Sequence, residues 1–277
     1  MMGGFKTLDV EQRGAICILT MNRPNKLNAL SLGLINDLRN FFSGICNEYR
    51  TRVIIFRGAG RAFCAGTDLG VVTESHIQEP GEARQDMGPV QFQYNRVQGV
   101  LSEIILSMRR CPQPIIGAIH GHAIGGGFSL ALACDVRIAG ESARMNAGYI
   151  RIGLSGCDMG SSYFLPRIIG FSRAAEYLYT GRVIDAATAD RFGLVSKVVP
   201  DDKLEAAALE LADEMLQNSP FGLRMTKEAY NLNVDAPSVE SALNIENRNQ
   251  ALLCWTQDHR EGAAAMFEKR KATYHDK

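Results

Sequence analysis

The stretch that decides the fold is IHGHAIGGGFSLALACDVRIA, residues 119–139. It reads as the end of a strand, a glycine-rich turn at 121–127, a helix to about Cys134 and a further strand at 136–139. Three consecutive glycines at a helix start cost roughly 0.5–1 kcal/mol each relative to alanine. Two explanations stay open: backbone N–H groups that approach an oxyanion closely, or tight packing of the helix against a strand.

On both sides of this stretch, short apolar runs alternate with a helical period. Residues 15–21, 53–56 and 115–119 are β-rich runs, and turn residues close the first two. Residues 31–42 have apolar side chains at a spacing of three to four, which predicts an amphipathic helix with Ser31 as its N-cap. Strand, helix and strand in this order predict crossover units and an α/β fold.

The composition changes after Pro200. Residues 201–216 and 220–231 are rich in Ala, Leu, Glu and Lys, and further helix-prone sequence follows. We therefore predict a strand-containing core over residues 1–200 and a helical C-terminal region over residues 201–277.

Two further segments bear on a ligand site. FCAGTDL, residues 63–69, comes just after the strand at 53–56 and its glycine turn. The segment 75–95 is polar and contains proline and glycine, which predicts a mobile loop over the site.

Composition and charge disfavour several classes of protein. Thirty basic residues balance thirty acidic ones in 277, so no global field draws the chain to nucleic acid or to an anionic membrane. No apolar run approaches the roughly 20 residues that span a bilayer, and the first residues do not resemble a signal peptide. Seven scattered cysteines predict free thiols, and five histidines lack zinc-ligand spacing. We predict a cytoplasmic protein without a metal or a permanently bound cofactor.

Five segments in collinear order resemble those of the crotonase (enoyl-CoA hydratase/isomerase) superfamily. The resemblance implies a crotonase-type spiral of ββα crossover units with a helical C-terminal trimerisation region. It also implies an acyl-CoA thioester as substrate, coenzyme A entering only as part of it, and a homotrimer or dimer of trimers. The segments are 22–30 (NRPNKLNAL), 63–69, 119–139, 180–195 and 261–270.

The same resemblance assigns roles to single residues. The backbone N–H groups of Thr67 and Gly126 are the implied oxyanion hole, which holds the thioester oxygen as an enolate forms. Loss of one such donor typically costs about 2.7–4 kcal/mol of transition-state stabilisation. The implied substrate-binding residues are Lys26, Leu27, Ala29, Ala65, Gly66, Asp68, Leu69, Gly125 and Lys269.

The chain departs from the family at the acid/base positions. Hydratases of the family carry two glutamates where this sequence has Ser129 and Tyr149, and neither residue is a strong base near neutral pH. Asp158, in GCDMG just before a helix predicted to start near Ser161, is the best replacement as the catalytic carboxylate. The alternative is that Asp158 only caps that helix. Ser129 and Tyr149 remain candidate catalytic residues. Ser129 would fill the space of the missing carboxylate, and Tyr149 would donate a hydrogen bond or line an apolar pocket.

Three functions follow from these residues. The first is an enoyl-CoA hydratase or isomerase of fatty acid metabolism with Asp158 as its single acid/base, which suits isomerisation better than hydration. The second is a CoA-thioester hydrolase or dehalogenase-like enzyme in which Asp158 attacks the acyl group or positions water. The third is a catalytically silent acyl-CoA binding protein.

Overall fold

The structure is a computed structural model and describes residues 4–68 and 88–277. Its main sheet contains six strands in the order β1-β2-β3-β4-β6-β9, and β5, β7 and β8 form a smaller sheet. All pairings in the main sheet are parallel except that of β1 with β2. The strands are β1 (Leu8–Arg13), β2 (Ile16–Met21), β3 (Val53–Gly58), β4 (Ile115–Ile119), β5 (His122–Ile124), β6 (Val136–Gly140), β7 (Arg144–Asn146), β8 (Ile184–Asp185) and β9 (Lys197–Val199).

Helices cross between the strands and cover both faces of the main sheet. A π-helical stretch, Gln93–Gln98, joins α2 to α3. The helices are α1 (Leu32–Ile45), α2 (Pro89–Phe92), α3 (Gly99–Arg110), α4 (Gly126–Ala133), α5 (Ser161–Ile169), α6 (Phe171–Thr180), α7 (Ala186–Arg191), α8 (Leu204–Leu216), α9 (Pro220–Asn233), α10 (Val239–Leu253) and α11 (Gln257–Glu268).

Both faces of the main sheet are buried, as expected for parallel strands covered by helices. In β2, Cys17 and Leu19 point into the larger core with α1 and α3, whereas Ile16 and Ile18 point to the opposite face. On that second face α8 packs through small side chains such as Ala208. The alternation follows from the two-residue period of a strand.

The predicted α/β class is confirmed, with a sheet of mostly parallel strands. Ser31 caps α1 as predicted, and its side chain accepts a hydrogen bond from the Leu34 N–H. β1 was not predicted, because its polar, exposed residues pair only at the edge of the sheet. Of the predicted mobile loop 75–95, residues 75–87 lie outside the described chain, and residues 89–95 are helical, so the prediction is wrong there.

The C-terminal helices are joined to the core by a buried ion pair. Lys227 of α9, 6% exposed, places its Nζ 2.7 Å from Asp135 and also donates to the carbonyls of Met108 and Gln113. The boundary at residue 200 and the trimer role of 201–277 stay predictions. In the described ranges no helix combines the length and apolar character needed to cross a bilayer.

Candidate active site

The segment 63–68 is held against β5 by main-chain hydrogen bonds. Cys64 donates its N–H to the His122 carbonyl at 2.9 Å, and the Cys64 carbonyl accepts from the Ile124 N–H at 3.0 Å. This parallel bridge carries the predicted FCAGTDL segment alongside the strand that leads into the glycine triplet.

On its other side the same segment pairs with Leu30. The Leu30 N–H donates to the Gly66 carbonyl at 2.8 Å, and the Leu30 carbonyl accepts from the Asp68 N–H at 3.1 Å. Because these two bonds flank Thr67 in a parallel bridge, the Thr67 N–H faces away from Leu30. Among residues 4–68 and 88–277, this N–H donates to no acceptor.

Glycine stands at positions 125, 126 and 127 for different local structural reasons. Gly125 is the N-cap of α4 with φ 54° and ψ −119°, a conformation that side-chain-bearing residues avoid. A Cβ on Gly127 would lie 2.1 Å from the Cys64 carbonyl oxygen, so only glycine allows this approach. Tight packing of α4 against the segment 63–68 therefore explains Gly127. Gly126 requires a separate explanation.

Gly126 lies directly beside Thr67. A Cβ on Gly126 would lie 3.8 Å from the Thr67 hydroxyl, 2.8 Å from a Leu30 methyl and 3.3 Å from the Met159 sulfur. A Cβ on Gly66 would lie 3.7 Å from the Gly126 nitrogen. As the first residue of α4, Gly126 has an N–H without an intrahelical acceptor, and none is found elsewhere in the described chain. The structure thus brings together two unengaged main-chain donors.

Ser129 and Tyr149 form a buried pair of hydroxyls next to these donors. Ser129 is fully buried and Tyr149 is 5% exposed, with their oxygens 3.5 Å apart. Ser129 Oγ also donates to the main-chain carbonyl of Asp158 at 3.0 Å. Burial raises the pKa of Tyr149, so its hydroxyl stays protonated near neutral pH and can donate but not act as a base.

Asp158 supplies a half-buried carboxylate beside this pair. Burial raises its pKa, partly opposed by the hydrogen bond that Oδ1 accepts from the Met159 N–H at 2.8 Å. The capping alternative is wrong: the N-cap of α5 is Gly160, and no side chain caps it. The main chain of Asp158 instead donates to Ser161 Oγ at 3.1 Å.

The N-terminal motif packs against the same segment. Ala65 donates its N–H to the Leu27 carbonyl at 2.9 Å. Arg23 donates to the Ala29 carbonyl and lies 3.1 Å from the Asp68 carboxylate. Several predicted substrate-binding residues therefore share one neighbourhood: Lys26, Leu27, Ala29, Ala65, Gly66, Asp68 and Gly125.

Of the two remaining predicted substrate-binding residues, one lies outside the described residues and the other is not brought to this place. Leu69 lies outside the described residues. Lys269 ends α11 in a left-handed conformation, and the hydrogen bonds of α11 with other segments in the described chain run to the C-terminal residues 270–277.

Sequence reasoning missed three residues of the site. Leu30 and Met159 contact the Gly126 position, and Ser161 contacts Asp158. Met159 has a φ of 46°, a strained value for a residue with a long side chain, and such strain is concentrated at functional sites. Leu30 and Met159 lie inside the segments NRPNKLNAL and GCDMG without having been assigned a role, and Ser161 was predicted only as the start of a helix.

The site offers two main-chain donors, buried hydroxyls and one carboxylate. Such donors can stabilise negative charge that develops on a carbonyl oxygen, and one carboxylate can take up and return a proton. Across residues 4–68 and 88–277, no group of three or more His, Cys, Asp or Glu side chains is close enough to hold a metal ion.

Comparisons with known proteins place the chain in one family. The family model for enoyl-CoA hydratase/isomerase matches residues 11–277. A probable enoyl-CoA hydratase of Mycobacterium leprae is 38% identical over 263 residues, covering 93% of this chain and 86% of that protein. The crystal structure of an enoyl-CoA hydratase from Bacillus anthracis is 35% identical, with a TM-score of 0.88 and 98% and 100% of the two chains covered.

A further solved structure is a monofunctional enoyl CoA isomerase from M. smegmatis. It is 36% identical to this chain with a TM-score of 0.70, covering 86% of this chain and 98% of its own. The solved structures together confirm the predicted crossover-unit fold.

Proposed function

We propose that this chain, which belongs to the enoyl-CoA hydratase/isomerase family, moves the double bond of an enoyl-CoA thioester by a proton shuttle on Asp158. The observation that carries the proposal is the pair of unengaged N–H groups on Thr67 and Gly126. The main chain of Asp158 accepts from the adjacent Ser129, and its carboxylate is close enough to Tyr149 to add to the effect of burial in raising the pKa of that hydroxyl. Substrates with the double bond between C3 and C4 would be converted to the conjugated C2–C3 isomer.

The first step is proton removal from C2 of the 3-enoyl thioester by the Asp158 carboxylate. The electron pair of the C–H bond delocalises through the alkene and the carbonyl, and charge accumulates on the thioester oxygen. The N–H groups of Thr67 and Gly126 stabilise that charge because they are already oriented and need no reorganisation. Protonated Asp158 then returns the proton to C4, which leaves the conjugated alkene and the original carboxylate.

The environment of Asp158 suits this exchange. Burial raises its pKa, and a carboxylate with a raised pKa is a stronger base when it is ionised. Hydration by the family's usual route needs two carboxylates, and the hydroxyls of Ser129 and Tyr149 occupy both glutamate positions. The relative that is a monofunctional enoyl CoA isomerase favours the same choice.

The test is a comparison of two substrates and two variants. The purified chain should convert 3-hexenoyl-CoA to the conjugated isomer, and Asp158→Asn should reduce the rate at least about 100-fold, the lower range of general acid–base catalysis. Asp190→Asn, an exposed carboxylate on α7, is the matched control and should keep the parental rate. Faster hydration of crotonyl-CoA than isomerisation, or an unchanged rate in Asp158→Asn, would contradict the proposal.

The remaining parts of the proposal concern the setting of the enzyme. Coenzyme A is part of the substrate, and the residues that would contact it include Lys26, Leu27 and Ala29. The trimer or dimer of trimers, the cytoplasmic location and the coenzyme contact of Lys269 stay predictions from the sequence.

A further inference from the structure

Two thiols from distant parts of the chain meet at the edge of the core. Cys46 follows the last turn of α1 and is half-buried, whereas Cys111 follows α3 and is fully buried. The two thiols are close enough that each shifts the pKa of the other, while the Cys46 thiol donates a hydrogen bond to the Phe42 carbonyl at 3.2 Å. Neither cysteine belongs to the candidate active site.

The side chain of Gln113 fixes the two segments relative to each other. Its Oε1 accepts from Cys111 Sγ at 2.9 Å, and its Nε2 donates to the Ile45 carbonyl at 3.1 Å and to the Glu48 carbonyl at 3.0 Å. One amide thus holds Cys111 beside the end of α1, where Cys46 lies. Gln113 is 2% exposed, so these hydrogen bonds are shielded from water.

The two thiols have different electrostatic surroundings. The neighbouring Cys111 thiol lowers the pKa of Cys46, and the ammonium of Lys227 lowers it further, against the opposing effect of burial. Burial raises the pKa of Cys111. Cys46 is therefore the thiol that ionises and reacts first, and Cys111 is held in place as its partner.

Cys111 also lines a cleft of about 830 Å³ between the end of α3 and the C-terminal helices. Tyr49, Arg110, Pro112 and Phe221 line the same cleft. Cys46, the thiol that a reagent must reach, is itself partly exposed, and the cleft adjoins its buried partner Cys111.

We propose that Cys46 and Cys111 form a modification site that a hydroperoxide converts reversibly to an intramolecular disulfide. The Cys46 thiolate attacks the peroxide, which breaks the O–O bond, releases water or an alcohol after protonation, and leaves a sulfenic acid. The Cys111 sulfur then attacks the Cys46 sulfur and expels the sulfenic oxygen as water. Overall, two thiols lose two electrons and two protons, and the hydroperoxide takes up both.

The test treats the folded full-length chain with hydrogen peroxide, blocks the remaining thiols by alkylation under denaturing conditions and maps peptides without reduction. A peptide pair linked through Cys46 and Cys111, lost on treatment with dithiothreitol, is the expected result. The cross-link closes a loop of about 65 residues, so the oxidised chain should also melt at a higher temperature. Recovery of both cysteines in alkylated form would overturn the proposal.

Variants separate this pair from the chain's other thiols. Cys111→Ser should let the Cys46 sulfenic acid accumulate, which dimedone would trap, and Cys46→Ser should leave Cys111 unoxidised. The double variant of the exposed cysteines, Cys157→Ser with Cys254→Ser, should form the 46–111 cross-link at the parental rate. Loss of the cross-link in that control would show that it arises by exchange through an exposed thiol, which would contradict direct formation.

Discussion

Replacement of Gly127 by alanine tests whether close packing at the glycine triplet sets the geometry of the site. The new Cβ would lie 2.1 Å from the Cys64 carbonyl oxygen, and that oxygen is main chain, fixed by its hydrogen bond from Ile124. Ordinary contact requires at least 3.4 Å, so α4 and the segment 63–68 must move apart by more than about 1 Å. This movement separates the N–H groups of Thr67 and Gly126.

The expected magnitude combines two opposing terms. Overpacking of this kind typically costs about 1–3 kcal/mol, whereas alanine in a helix gains about 0.5–1 kcal/mol over glycine. Gly127→Ala should therefore lower the free energy of unfolding by roughly 1 kcal/mol, and by at most about 2.5 kcal/mol. A displacement near 1 Å in a catalytic constellation can cost about 100-fold in rate, so kcat/KM for 3-hexenoyl-CoA should fall by about that factor.

Urea unfolding and steady-state kinetics on the same preparations measure both effects. Gly126→Ala is the matched control for stability, because its closest neighbour is a Leu30 methyl that can rotate away, and the free energy of unfolding should fall less than in Gly127→Ala. A Gly127→Ala chain with parental stability and parental kcat/KM would refute the reasoning.

Three further predictions rest on other parts of the chain. Thr67→Ala should keep kcat/KM within about threefold, since the proposed donor is the main-chain N–H; a loss near 100-fold, of the size expected for a missing oxyanion donor, would assign the role to the hydroxyl. Lys227→Met should lower the free energy of unfolding by about 1–3 kcal/mol, because the Met108 and Gln113 carbonyls lose a buried donor while Asp135 keeps its ion pair with Arg109. Lys197→Met, which removes an exposed pair, should change it by less than about 1 kcal/mol, and equal urea midpoints for the two variants would contradict this. Asp158→Asn should raise stability at neutral pH: burial raises the folded-state pKa, so the parental chain loses stability as the pH rises through that pKa. The stability advantage of Asp158→Asn should vanish below the ordinary aspartate pKa. Urea midpoints of both chains, measured at neutral pH and below that pKa, would test the sign of the effect.

Much of the fold was predictable because its elements have strong local signals. The strand at residues 115–119 and the Ser31 cap were predicted at the residues where they are found. Edge strand β1 was missed because five of its six residues are exposed, which leaves no apolar alternation to detect. The helical residues 89–95 were missed because polar sequence with proline and glycine reads equally well as a loop.

For the site, the sequence by itself determined which backbone positions carry glycine and that the two glutamate positions hold Ser129 and Tyr149. Only the tertiary structure decided that Thr67 and Gly126 are neighbours, that Asp158 does not cap α5, and that Met159 lies against Gly126. The physical reason is that glycine spacing and residue identity are local properties of the chain. Which amide faces which, and how much water a carboxylate loses, depend on contacts between segments many residues apart.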